Sequence, residues 1–318
     1  MMELLINNGG RLQQPPILDG VTWTTERRGT PGKLAFTVIK DSGADFHEGN
    51  PVRFTVDGVD LFYGYVFTKK RDRQHHISVT AYDQIRYLLN EDTLPYTNMT
   101  ASDFIRSICN DYDLNAGEIE QTGFNIADRI EDGSTLLDMI YTALDMELTN
   151  QKRMFILYDD FGKLTLKSLD NMKLDLVIDE DTAENFDYTS SIDDGTYNRI
   201  KLYYDNEDTG KREIYVAQSG ESINNWGLLQ YYDELKKGEN GERKADALLD
   251  LYNAKTRKLK ISKAAGDKRV RGGSLVIVKL GLGDINISNY FLVEKCTHTF
   301  TNNDHRMDLV TRGGEFTG

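Results

Sequence analysis

Histidine combines proton transfer and metal ligation near neutral pH, and the chain has five: His47, His75, His76, His298 and His305. The adjacent pair His75-His76 precedes an alternating run, so in an extended strand its rings point to opposite faces and cannot share one metal by adjacency. His298 and His305 flank the turn-forming Asn302-Asn303-Asp304 and can approach each other across a hairpin, yet a zinc-type site needs a third ligand that the sequence does not offer. Carboxylates cluster at Asp179-Glu180-Asp181, Glu184, Asp187 and Asp193-Asp194. They lack the ligand spacing and fixed glycine of a calcium loop and read as a solvated acidic face. Cys109 and Cys296 lie in a helical and a strand pattern and read as small buried apolar residues, with no disulfide between them.

The motifs that carry covalent or phosphoryl chemistry are missing: no Gly-x-Ser-x-Gly elbow, no Gly-x-x-x-x-Gly-Lys-Ser/Thr loop and no His-Glu-x-x-His. Gly281-Leu282-Gly283 lacks a third glycine and a following helix, so it reads as a turn. A carboxylate pair for glycoside hydrolysis is a three-dimensional property that spacing leaves open. No catalytic, cofactor-binding or metal residue is therefore assigned, no cofactor is expected, and the chain reads as a protein that binds proteins rather than as an enzyme.

The elements that would position any site are mostly strands. The chain has 318 residues and 39% hydrophobic residues, enough for packed cores and more than one domain. With 51 acidic against 38 basic residues its net charge is -13, which disfavours binding to phosphate backbones. The basic runs Lys69-Lys70-Arg71-Asp72-Arg73 and Lys268-Arg269-Val270-Arg271 read as solvated or subunit-facing. No apolar stretch reaches the roughly 20 residues of a membrane helix. The N-terminus lacks a secretory pattern, so cytosolic synthesis is expected.

Residues 21–89 read as short strands separated by turn signals at Thr30-Pro31-Gly32, Asp41-Ser42-Gly43, Glu48-Gly49-Asn50 and Asp57-Gly58. Helical turns follow at 83–89. From 96 to 169 the period changes: Thr100 caps one helix, Ser134 a second, and strands at 154–158 and 163–168 complete a small α/β module. Strand character resumes near Phe186, with 197–204 pairing with 212–217 across residues 205–210. Residues 219–257 are expected to be helix-rich. Ser222 opens a helix bearing Ile223, Trp226, Leu229, Tyr232 and Leu235, Gly238-Glu239-Asn240-Gly241 ends it, and 245–252 forms another. Strands return at 258–262, 274–280, 290–300 and 305–311.

The expected class is α+β and β-rich. The expected boundaries are a first β-barrel over 1–92, a small α/β domain over 93–172, a second β-barrel over 173–217 and 259–318, and a helical insertion over 218–258.

This order resembles the baseplate hub family of contractile phage tails, most closely the XkdQ-like prophage hubs related to the phage late-control D protein. The resemblance rests on Tyr197-Asn198-Arg199-Ile200-Lys201-Leu202, on Glu221-Ser222-Ile223-Asn224-Asn225-Trp226-Gly227-Leu228-Leu229-Gln230, and on two C-terminal words. These are Arg271-Gly272-Gly273-Ser274-Leu275-Val276-Ile277-Val278 and Tyr290-Phe291-Leu292-Val293-Glu294-Lys295-Cys296-Thr297-His298-Thr299-Phe300. Such hubs often have proline where this chain has Gly272-Gly273. The resemblance implies a homotrimeric ring whose paired barrels present a pseudo-sixfold surface. Its partners would be the central spike, the tail tube or tube initiator and other baseplate proteins, in a phage, a prophage or a tail-like bacteriocin. No membrane and no sequence-specific nucleic acid is implied. Two other readings stand beside it: a tail-associated cell-wall hydrolase, from the carboxylates, and a glycan-binding adhesin, from the 17 tyrosines. The discriminating observation is whether the two β units share one topology.

Overall fold

Asp57 and Gly58 adopt φ of 50° and 73°, the paired positive values of a two-residue hairpin turn that an Asp-Gly sequence favours. Around that turn the first β unit forms from β1 (Met2–Asn8), β2 (Arg11–Gln13), β3 (Val21–Glu26), β4 (Lys33–Ile39), β5 (Pro51–Val56), β6 (Val59–Arg71) and β7 (His76–Tyr82). The computed structural model describes residues 1–40, 45–193, 195–206, 209–235, 239–281 and 286–313. Asp41-Ser42-Gly43, Asp194, Glu207-Asp208, Gly238 and Leu282-Gly283 lie outside the described residues.

A 3-10 turn (Gln84–Leu89), capped by Asp83, leads into the α/β module. It comprises β8 (Glu91–Tyr96), β9 (Met99–Thr100), α1 (Ala101–Asp111), β10 (Ala116–Ile119), β11 (Asn125–Ile126), β12 (Arg129–Thr135), α2 (Leu136–Gln151), β13 (Phe155–Asp159) and β14 (Leu164–Ser168). Thr100 caps α1 by accepting from the Asp103 amide, as its sequence suggests. Thr135, not Ser134, caps α2, because the hydroxyl that reaches the Asp138 amide is the one three residues before it.

The second β unit contains β15 (Lys173–Ile178) and β16 (Asn185–Ser191), then leaves its sheet. The excursion comprises β17 (Arg199–Asn206), β18 (Lys211–Gln218), α3 (Gly220–Trp226), β19 (Gln230–Glu234) and α4 (Gly241–Tyr252). The unit resumes with β20 (Thr256–Ala265), β21 (Leu275–Gly281), β22 (Asn286–Phe300) and β23 (His305–Gly313).

Two sequence expectations change here. β17 and β18, which fall in the stretch expected to belong to the second β unit, form with β19 a three-stranded sheet of their own, order β18-β17-β19, so the insertion is mixed rather than helical. The expected helix through Tyr232 and Leu235 ends at Trp226, where Gly227 turns with φ 78°. Tyr231 and Tyr232 then pair parallel to Ile200 and Lys201. Aromatic residues suit a pleated surface, and their helical spacing was a coincidence of β-type residues.

Each part has its own core: one in the first β unit, one in the α/β module, one in the second β unit and one in the insertion. A single 13-stranded sheet nevertheless runs through both β units, order β16-β20-β23-β22-β3-β4-β7-β6-β5-β1-β2, with β15 and β21 branching from β22.

The two β units repeat one connectivity. In the first, β1 pairs β5, β5 pairs β6, β6 pairs β7, β7 pairs β4 and β4 pairs β3. In the second, β15 pairs β21, β21 pairs β22, β22 pairs β23, β23 pairs β20 and β20 pairs β16. The register matches as well. Tyr65 opposite Pro51 corresponds to Leu292 opposite Leu275, and a bulge between Val66 and Thr68 corresponds to one between Val293 and Lys295. Even the loop bonds repeat: Gly49 donates to Val66 O as Gly273 does to Val293 O, and Val66 donates to Asn50 O as Val293 does to Ser274 O. One strand differs: β1 runs antiparallel to β5, whereas β15 runs parallel to β21.

Candidate functional site

The joint between the β units is built by β22, whose final residues Lys295 to Phe300 pair with Glu26 to Val21 of β3. The pairing is closed by an Arg27 amide bond to Glu294 O and by Arg27 Nε on Glu294 Oε2, both at 2.7–2.8 Å. Thr24 and Thr297 hydroxyls meet at 3.2 Å across it. Trp23 and His298 stack with centroids 5.0 Å apart.

Beneath that stack His298 and His305 meet across their hairpin, as their spacing around the turn suggests, and Cys296 and Val270 join them. His298 Nε2 lies 2.8 Å from Val270 O and 3.1 Å from Cys296 Sγ, and its Nδ1 lies 2.9 Å from His305 Nε2. The bonding assigns a neutral His298 that donates through Nε2 to Val270 and accepts at Nδ1 from His305, which leaves no lone pair for a metal. Burial pushes its pKa down to about 4 and pushes the Cys296 thiol up. A fully buried neutral thiol beside a neutral imidazole cannot act as a nucleophile on a substrate. Among the described residues, no group of three or more His, Cys, Asp or Glu is arranged to hold a metal.

Arg271 ties the α/β module to this joint. Its guanidinium lies over Tyr158 at 4.4 Å and Trp23 at 5.6 Å, and donates to Asp159 O at 2.9 Å. Gly272 donates to Thr25 Oγ1, and a Cβ there would overlap the backbone of Glu26 and Arg27. Gly273, with φ 96°, presses against Ile156. The Arg271-Gly272-Gly273 turn thus needs its glycines for close approach as well as for turning.

Two buried carboxyls face the same node. Asp83 accepts from the Gly32 and Ile85 amides, and Asp159 Oδ1 accepts from Gly162, while Asp159 Oδ2 has no hydrogen-bond partner. Burial raises both, Asp159 to about 6, and the Asp159 charge raises Asp83 further. The cavity between them is about 20 Å³, room for one water and no substrate. Sequence reading missed this pair, because two aspartates in separate turns carry no spacing signal.

The remaining singled-out residues stay scattered. His47 is exposed beside Asp45, and His76 bonds Asp72 at the β6–β7 turn. Of the acidic cluster, Asp179 closes a turn with Thr182, Glu180 accepts from the Gly281 amide and Glu184 pairs with Lys263. Asp187 is exposed on β16.

Two strand edges lack partners among the described residues: the outer edge of β16, and residues 67–71 of β6 on the side away from β7. An open edge presents unpaired backbone donors and acceptors that another strand can meet.

A model of the YQBQ-like family matches residues 21–312. The chain belongs to the YQBQ-like family. This YQBQ-like chain is 26% identical over 303 residues to the XkdQ protein of the phage-like element PBSX of Bacillus subtilis strain 168, covering 92% of this chain and 91% of that protein. In fold it is similar to the 43 kDa tail protein of prophage MuSo2 from Shewanella oneidensis, with TM-score 0.75 and 12% identity over 99% of this chain and 100% of that one. It is also similar to the Escherichia coli c3393 protein, with TM-score 0.59 and 12% identity over 99% of this chain and 78% of that one. That protein is described as a type VI secretion component structurally similar to the T4 tail proteins gp27 and gp5. The YQBQ-like chain is thus β-rich, with a fold like that of a prophage tail protein.

Proposed function

We propose that the chain is a structural baseplate hub of a contractile phage-like tail, forming a homotrimeric ring between a sixfold tail tube and a threefold central spike. The observation that carries this is the register-matched repetition of five strands in each β unit, with a sixth in the same place but reversed in direction. Two equivalent units per chain give a threefold ring six similar positions, which is what an adaptor between sixfold and threefold objects requires. In this reading the β units over 1–92 and 173–318 are barrel-type ring elements. The α/β domain over 93–172 braces their joint through Tyr158, Asp159 and Arg271, and residues 192–255 stand apart as an insertion. The partners are the spike, the tube or its initiator and other baseplate proteins, met in the particle after assembly in the bacterial cytoplasm.

The ring reading is favoured over a hydrolase centred on Asp83 and Asp159, because those buried carboxyls enclose space for one water only. Imaging of tail particles carrying the tagged chain tests the proposal. Three copies on the tail axis are expected; any other copy number or an off-axis position would remove it.

A further inference from the structure

The strand equivalence makes the joint itself a template. β22 corresponds to β6 and β3 to β16, so the pairing of β22 with β3 has a counterpart in which the end of β6 pairs with β16. Within one chain that counterpart cannot form, because β16 and β6 are separated by β20, β23, β22, β3, β4 and β7 of the same sheet. Among the described residues both edges lack a strand partner.

Resting on the ring reading, we infer that β6 of one copy pairs antiparallel with β16 of the next, in a register fixed by the internal joint. Lys295 opposite Glu26 becomes Thr68 opposite Ser191, and Cys296 opposite Thr25 becomes Lys69 opposite Ser190. Thr297 opposite Thr24 becomes Lys70 opposite Thr189, and His298 opposite Trp23 becomes Arg71 opposite Tyr188. Pairing ends there, because the ladder of β6 with β7 stops at Arg71 whereas that of β22 with β23 continues to Phe300.

Three independent features fit a second copy as the occupant. First, apolar side chains are left incomplete: Val21 and Trp23 are 0% and 2% exposed at the internal joint, while their counterparts Phe186 and Tyr188 are only half-buried. Second, Cys296 and His298 are fully buried by β3, whereas their counterparts Lys69 and Arg71 are partly or fully exposed. An arginine opposite Tyr188 reproduces the flat stacking of His298 on Trp23, with a cation over the ring. Third, basic side chains stand without an ionic partner at the β6 edge. Lys70, Arg71 and Arg73 make no ion pair among the described residues, and Asp187 lies one position beyond Tyr188, diagonal to Lys70 on the same face.

Cysteine pairing tests the register. The Arg27 amide bond to Glu294 O makes that pair hydrogen-bonded, so by alternation the Thr24–Thr297 pair, and its counterpart Thr189–Lys70, is of the close, non-hydrogen-bonded kind that suits a disulfide. Oxidation of the full chain carrying Lys70→Cys with Thr189→Cys should give cross-linked species that stop at a closed trimer on a non-reducing gel. Arg71→Cys with Thr189→Cys, shifted by one residue onto opposite faces, should stay uncross-linked. Arg71→Glu should lower the cross-linked fraction several-fold when placed in the first pair, with the circular dichroism spectrum unchanged.

A protein that is trimeric by native mass yet cross-links equally in both pairs, or in neither, overturns the joint and leaves the ring standing. A chain that remains monomeric at its highest soluble concentration and does not cross-link overturns the joint as an interface of this chain alone. The copy number in the particle then decides the ring separately.

Discussion

Trp23 and His298, near opposite ends of the sequence, stack 5.0 Å apart and lock the first β unit to the second. Trp23 is 2% exposed and also lies under the Arg271 guanidinium. Trp23→Ala is expected to cost about 3–5 kcal/mol. Urea unfolding followed by circular dichroism should show it, and an effect under about 1 kcal/mol would mean the units are held by other contacts.

His298 predicts how stability falls in acid. Its pKa is about 4 in the fold and about 6.5 when unfolded, so the unfolded chain binds the proton more readily. The neutral ring's contribution is fully present above pH 6.5 and is lost as pH falls toward 4, to the order of 3 kcal/mol. Urea midpoints at pH 7.5, 5.5 and 4.5 should decline in the parent and decline less in His298→Phe.

Asp159 works with the opposite sign. Its pKa is raised to about 6, so its neutral form is favoured in the fold, and it destabilises the protein above that pH. Asp159→Asn keeps an oxygen for the Gly162 amide and is expected to raise the urea midpoint at pH 8, with the gain fading toward pH 4. An unchanged midpoint at pH 8 would contradict the burial argument.

Gly272→Ala should be destabilising by about 1–3 kcal/mol, since the obstacle is the backbone of Glu26 and Arg27, which cannot move aside without breaking the joint. Gly220→Ala meets nothing within 4 Å and needs no positive φ, so it should be neutral or slightly stabilising. Parallel thermal melts of the two variants provide the comparison.

Ser191 and Thr256 are direct partners across β16 and β20, so the excursion between them leaves and returns at one point. Replacing residues 192–255 with Asn-Gly is expected to give a folded protein that retains the 13-stranded sheet, having given up exposed contacts such as Lys152–Asp250. Loss of cooperative unfolding in that variant would show that the insertion props up the rest.

The parts legible in the sequence were those governed by local rules. The Asp57-Gly58 turn, the Thr100 cap and the alternating residues of β7 each name their own structure. The insertion misled because Trp226, Tyr231 and Tyr232 fit both a helical face and a strand, and only pairing with β17 decides between them. The joint was illegible for a different reason. The counterparts Trp23 and Tyr188 look alike, but Arg71 and His298 do not, and their equivalence lies in strand register rather than in residue type.

The β22–β3 pairing joins strands of a single polypeptide, so dilution cannot undo it. If its counterpart between copies closes a ring, that ring has two kinds of seam in alternation, one permanent and one made on assembly. Any event that opens it, whether salt, acid or force, must act at the second kind, where lysine and arginine stand in place of buried cysteine and histidine.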